Sequence, residues 1–350
     1  MAAMASADAA GPVESWSDSA IEACENVPDT EQDACIRDEE ARERARAAVQ
    51  RKLEARYLRP LAERLAASGD PRKLAVAANL WPSRQGDPVG SKVRQWRERA
   101  FDQGGDDPDV AVLLQSDRSA DAGPVSATPV AGRALERWRA SEPGNLVPAM
   151  DPRESIEVLL ARADTFDRFS LHFSDLLLLF DSAFAAFPPD RAQRRLLRAL
   201  EVDPGSLSAR YALTSVVEAS PSFMPLVNAC KGAARQATPT RNAECRHLGR
   251  VMLAHSDTVL GELFGGALLR YDDDPALRAE GDATRRRWRW QSERLRALGE
   301  RTGADCTPTK MRATPGMGEG DAIRACLADA GVPLEPPADW NPEASQAETH

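Results

Sequence analysis

The sequence predicts an all-α fold built as an irregular array of antiparallel helix pairs, and three observations predict it. Ala, Leu and Arg, strong helix formers, dominate a chain of 350 residues in which aromatics make up 5%. No stretch alternates apolar and polar residues over the length of a strand. Between Asp151 and Tyr271 the chain breaks into short pieces, each with apolar residues at helical spacing and each opening near Asp, Ser, Thr or Pro.

Taken in order, residues 1–13 read as disordered. Residues 14–129 read as an N-terminal helical region. Its first helix, Val13–Cys24, carries Trp16, Ile21 and Cys24 on one side. A long charged helix is expected from Thr30 to Ser68, with the i,i+4 pairs Asp38/Arg42 and Glu40/Arg44. Its buried stripe is Leu53, Tyr57, Leu58, Leu61 and Leu65, and Pro60 should kink or break it. Ser68-Gly69-Asp70-Pro71 stops that helix and caps the next, Pro71–Leu80. Helices Val89–Gln103 and Asp107–Leu114 follow, then a polar loop Ser116–Pro129. Trp81, Trp96, Trp138 and Trp288 lie at core spacing, while Trp16 and Trp340 are placed to seal the ends of an array.

Residues 130–301 form the helical array proper, from Val130–Ser141 to a last long helix, Pro275–Arg301. Gly261, Gly265 and Gly266 fall inside a helical pattern and read as close helix–helix packing. Residues 302–332 read as a cysteine-paired appendix with helix Glu319–Ala330, and 333–350 as an extended or disordered acidic, proline-rich tail.

The segments ERWRASEPGNL and LRALEVDPGSL each place a helix end, an acidic residue, Pro-Gly and a Leu in the same order. They are 61 residues apart, close to twice a helix-turn-helix repeat of about 34 residues. With Leu200-Glu201-Val202-Asp203-Pro204 and the small residues Ala209, Ala212 and Ala219, the chain over Val130–Tyr271 resembles the tetratricopeptide (TPR) class. It also resembles the degenerate helical-repeat proteins of high-GC proteobacteria. The resemblance implies a TPR-like α-solenoid fold, and implies no activity.

The six cysteines form three local pairs, Cys24/Cys35, Cys230/Cys245 and Cys306/Cys326, each flanking a connection between helical patterns. Cys230 and Cys245 are almost equidistant from the turn Ala237-Thr238-Pro239-Thr240, which brings the two arms of a hairpin within disulfide reach. Three such pairs predict an oxidising compartment, periplasmic or secreted, with a signal peptide missing or trimmed from an N-terminus that shows only a small-residue Ala7-Asp8-Ala9-Ala10 stretch. The alternative is six buried thiols in the cytoplasm. No CxxC spacing supports zinc, since only His247 near Cys245 could add a ligand.

The net charge of −9 argues against a general nucleic-acid binder, and no apolar run is long enough to span a membrane. Arg285-Arg286-Arg287-Trp288-Arg289-Trp290 interleaves basic and aromatic residues, a pattern able to grip phosphates and stack on bases. On a helix, however, Trp288, Leu295 and Leu298 would face the array and the arginines would face solvent. Arg285, Arg286, Arg289 and Trp290 are therefore candidates for binding a protein partner. His255 with Asp257, and Asp272-Asp273-Asp274, read as helix junctions. His172 with Asp175 reads as a satisfied interior histidine. No nucleophile elbow, phosphate loop, dinucleotide or zinc-protease motif is present. The sequence thus predicts a non-enzymatic protein–protein interaction module or scaffold without cofactor or metal. The alternatives are an immunity or inhibitor protein that masks its partner, and a helical enzyme.

Overall fold

A computed structural model describes residues 29–81, 91–115, 129–302 and 317–340. Helix Val13–Cys24, most of the loop Ser116–Pro129, Cys24, Cys306, Trp16 and the acidic end of the tail lie outside the described residues. Among the described residues there is no strand, and backbone pairing is limited to the bridges Asn145–Arg168 and Phe169–Ser256.

The first rod is α1 (Asp29–Leu53), a π turn (Glu54–Leu58) and α2 (Arg59–Ala67). Arg42 pairs with Glu39 rather than with the expected Asp38, whereas Arg44 and Glu40 pair as expected, at 2.9 Å. Pro60 neither breaks nor simply kinks the rod. It has no N–H for the carbonyl of Arg56, and its ring would crowd that carbonyl in a regular turn. The chain widens instead, so that Arg59 N–H reaches back to the Glu54 carbonyl. The freed Arg56 carbonyl is taken by Nε2 of Gln193 at 2.7 Å, from far along the chain.

Helices α3 (Pro71–Leu80), α4 (Ser91–Gly104), α5 (Pro108–Leu113) and α6 (Pro129–Ser141) follow. Asp70 caps α3 by accepting from Lys73 N–H at 3.0 Å, and Pro71 fills the first position, where no donor is needed. The segment Asp151–Phe169 departs from its helical spacing. Only α7 (Leu146–Ala149) before it and α8 (Ile156–Leu160) within it form α-turns. Asp151 folds back onto the N–H of Arg153 at 2.9 Å, a local bond that competes with a longer helix.

The remaining helices are α9 (Phe173–Ala186), α10 (Arg191–Ala199), α11 (Leu207–Ala219), α12 (Met224–Ala229), α13 (Arg241–Ala254), α14 (Val259–Arg270), α15 (Pro275–Thr302) and α16 (Glu319–Asp329). Short connections make α13, α14 and α15 antiparallel neighbours. Their glycines set the spacing, as the sequence predicts. A Cβ on Gly265 would lie 2.5 Å from the backbone nitrogen of Leu253 and 2.7 Å from the carbonyl of Gly249.

One apolar core runs from Leu53 to Leu268 and crosses the boundary near residue 129. In a strict solenoid each repeat touches only its neighbours. Here α11 touches α3 and α5, α10 touches α1, and Tyr57 Oη donates to the carbonyl of Phe187 at 3.0 Å. The arrangement is more closed than an open array. A second, smaller cluster holds Trp288, Ile323 and Leu327, with Val332 and Leu334 packed on it.

Cys230 and Cys245 are joined, with Cα atoms 5.6 Å apart. Cys35 and Cys326 are also disulfide-bonded, and among the described residues no cysteine is free.

Candidate functional site

Three polar constellations stand out. The first is a junction around His172, where α5, α6 and α9 converge. His172 caps α9 in the left-handed region, φ 56°, a conformation that costs a non-glycine residue about 1–2 kcal/mol. The loop before it is pinned from two sides. Asp257 accepts from Leu171 N–H at 2.9 Å, Phe173 N–H at 3.2 Å and Ser170 Oγ at 2.8 Å. Asn145 accepts from Ser170 N–H at 3.1 Å and donates to the Ser170 carbonyl at 2.9 Å.

Both ring nitrogens of His172 face carboxylates: Nδ1 lies 3.2 Å from Asp109 and Nε2 lies 3.0 Å from Glu142. Asp175 stands 3.7 Å from Nδ1, and Glu142 also accepts from Trp138 Nε1 at 2.7 Å and Asn145 Nδ2 at 2.9 Å. Burial alone would lower the pKa of the imidazole, but the bonds to Asp109 and Glu142 outweigh it and raise it to about 10. Burial would likewise raise that of Glu142, but the bonds from His172 and Asn145 bring it down to about 2.

His172 is therefore an imidazolium at neutral pH, with both nitrogens already donating. Asp109, His172 and Asp175 lie close enough together to hold an ion, while both ring nitrogens of His172 are engaged by the carboxylates of Asp109 and Glu142. The junction is an ionic clamp. The reading of His172 as a satisfied interior residue agrees with this geometry, in which Asp109 and Glu142 hold the ring and Asp257 holds the loop before it.

The clamp has a pH signature. A histidine whose folded pKa lies above its usual 6.5 contributes stability that is fully present below 6.5 and fades as pH rises through about 10. In NMR spectra the His172 ring is expected to stay cationic to about pH 9. Titration near its usual value would show that the carboxylates do not hold the charge.

The second constellation lies at the α14–α15 junction. Asp272 is fully buried and accepts from Arg235 Nη2 at 2.5 Å and Arg246 Nη2 at 2.9 Å. Arg235 also donates to the carbonyls of Leu268 at 2.9 Å and Cys230 at 3.3 Å. The junction reading of Asp272-Asp273-Asp274 agrees with this placement.

The third is α15. Trp288 and Leu298 face inward as expected, and Arg285 and Arg289 face solvent. Trp290, a candidate for partner binding, is buried. Its Nε1 donates to the Pro333 carbonyl at 2.8 Å. Arg286, another candidate, donates to the carbonyls of Pro337, Ala338 and Trp340. Residues 333–340, expected to belong to an extended or disordered tail, bend and then turn, with the Trp340 N–H on the Pro337 carbonyl at 3.1 Å, and are fastened to α15. The physical reason is that the prolines leave carbonyls free while α15 supplies side-chain donors. The appendix helix α16 is anchored separately, through the Arg324–Glu262 ion pair at 3.1 Å and Val259 N–H on Glu319 at 2.9 Å.

Away from these sites, a cavity of about 120 Å³ opens between α8 and α12, lined by Met150, Ile156, Leu159, Pro225 and Leu226 among others. Comparison with protein-family models, curated proteins and solved structures finds no match to this chain.

Proposed function

We propose that the chain is a non-enzymatic, helical protein-binding module, TPR-like in the α13–α15 stack, that works in an oxidising compartment, periplasmic or secreted. The observation that supports binding is the placement of exposed apolar side chains. Val158 on α8, Leu213 and Val217 on α11, and Met224 on α12 are the exposed large hydrophobic residues among the described ones. Val217 and Met224 are 59% and 57% exposed.

Scattered surface apolar residues need no explanation, but three of these lie on the consecutive helices α11 and α12, and the fourth lies on α8, which packs against α12. Leu213 and Val217 are one helical turn apart and share a face. Helix α11 then leads through four residues into α12, which packs beside α8 and its apolar cavity. The Cys230–Cys245 bond, with no free cysteine among the described residues, supports the compartment. No helix among the described residues is long and apolar enough to cross a membrane.

The test places a photo-crosslinking amino acid at 217 or 224 in the chain expressed in its host. A discrete adduct is expected at both positions. It should fall about tenfold or more in a Val217→Asp/Met224→Asp variant whose stability stays within about 1 kcal/mol of the parent, as for surface substitutions. No adduct from either position, or adducts indifferent to the variant, would overturn the proposal.

A further inference from the structure

The C-terminal strap is bound to α15 as a ligand is bound, by donors that read a backbone. On α15, positions 286 and 290 share one face and 287 and 291 the adjacent one. Arg286 Nη2 donates to the carbonyls of Pro337 at 2.5 Å and of Ala338 and Trp340 at 3.0 Å each. Trp290 Nε1 donates to Pro333 O at 2.8 Å, and Gln291 Nε2 to Leu334 O at 2.9 Å. Every one of these acceptors is a main-chain carbonyl.

The bound segment, Val332–Trp340, reads VPLEPPADW. Its three prolines carry no N–H and have a fixed φ, so the segment leaves few donors unsatisfied and loses little entropy on ordering, and the Trp340 N–H closes a turn on the Pro337 carbonyl at 3.1 Å. Side-chain recognition adds three contacts. Trp340 packs edge-on against Trp290 with centroids 5.5 Å apart, Glu335 lies 3.4 Å from Arg287, and Leu334 joins the Trp288 cluster. Aromatic faces with donors aimed at the carbonyls of a proline-rich chain are a recurrent mode of peptide recognition.

The strap is also separable from the helix before it. Gly331, φ 69°, ends α16 with its N–H on the Ala328 carbonyl and the N–H of Val332 on that of Leu327, both at 2.9 Å. These bonds close α16 without help from residues beyond 332. Pro333, Glu335, Pro337, Ala338 and Asp339 are exposed, so the strap lies on the surface and not in the core.

We propose that this face of α15 is a binding site for a proline-rich, acidic segment of a protein partner, bearing a tryptophan, and that residues 332–340 occupy it in cis as a competitor. Charge favours that class of partner. Arg285 and Arg289 flank the site and face solvent, and the strap itself brings Glu335 and Asp339. A tethered segment has a millimolar effective concentration, so it masks the site against a weak partner and yields to a strong or multivalent one. The site is distinct from the apolar surface of α11 and α12, and either can fail alone.

The test uses the full chain and a fluorescein-labelled peptide of sequence VPLEPPADW, read by fluorescence polarisation. Trp340→Ala and Pro337→Gly each loosen the strap and leave α15 intact. Each is expected to bind the peptide about tenfold or more tightly than the parent chain. Adding Arg286→Ala to either variant should cost about tenfold or more, about 1.4 kcal/mol, since it removes charge-assisted hydrogen bonds to three carbonyls of the strap. A peptide with its prolines replaced by alanine should bind more weakly. Pro337→Gly frees the backbone at an exposed position of the strap and gives the same readout should Trp340→Ala unfold. Equal affinity for the parent and both variants, no binding to either variant, or indifference to Arg286→Ala would overturn the proposal.

Discussion

Asp272→Ala is expected to destabilise the fold by about 3–5 kcal/mol, because it leaves Arg235 as a buried charge without its partner. The side chains of Arg235 and Asp272 are 1% and 0% exposed, and water does not replace the lost carboxylate there. Arg246, half-exposed, turns to solvent at little cost. Replacing both buried partners, Arg235→Met with Asp272→Leu, should cost far less than Asp272→Ala alone. That difference separates the value of the pair from the penalty for breaking it. Burial would raise the pKa of Asp272, but Arg246 and the Asp274 N–H bring it below its ordinary value. The contribution is thus present above the ordinary carboxylate range and lost as pH falls through the lower, folded value. Urea melts at neutral pH and in acid measure both effects. A cost under about 1 kcal/mol for Asp272→Ala would mean that the site opens to water.

Removing the neighbouring disulfide is the other large effect. Cys230→Ser with Cys245→Ser frees a loop with a sequence separation of 15, worth about 3 kcal/mol in chain entropy. The parent chain melted under reducing conditions should lose at least as much, since reduction reaches every bridge. Because Arg235 donates to the carbonyl of Cys230, the serine pair and Asp272→Ala act on one structural unit. Their costs should fall short of or exceed a simple sum by more than about 0.5 kcal/mol. A serine pair as stable as the parent would show that the hairpin is held by packing alone.

Much of the helical layout was legible because local signals agree with the fold. Asp70-Pro71 starts a helix, Pro275 starts the last long one, and Gly265 marks a close crossing, all from chemistry that acts within a few residues. Cys230 and Cys245 were legible for the same reason, being arms of one hairpin. Asp151–Phe169 was not. Its apolar spacing fits a helix, but Asp151 bonds its own neighbour and Asn145 and Asp257 organise the loop from outside. The His172 clamp was invisible because its partners, Asp109, Glu142 and Asp257, come from other elements, with sequence separations of 30 for Glu142 and 84–87 for the loop bonds to Asp257. The strap misled for a compositional reason. Proline and acid richness marks a chain that cannot fold alone, and says nothing of a helix able to bind it.

The widened turn before Pro60 has a consequence for how the protein is made. Its freed carbonyl at Arg56 is satisfied by Gln193, a separation of 137 residues, and Tyr57 waits for Phe187, a separation of 130. At about 5–20 residues per second, synthesis leaves the first rod without these partners for roughly 7–27 s. During that interval α3 is already available to pack on α2, whereas the Arg56 carbonyl and the Tyr57 hydroxyl still lack the partners they have in the finished fold. The last bonds of the first rod therefore form only after the chain has been made as far as Gln193.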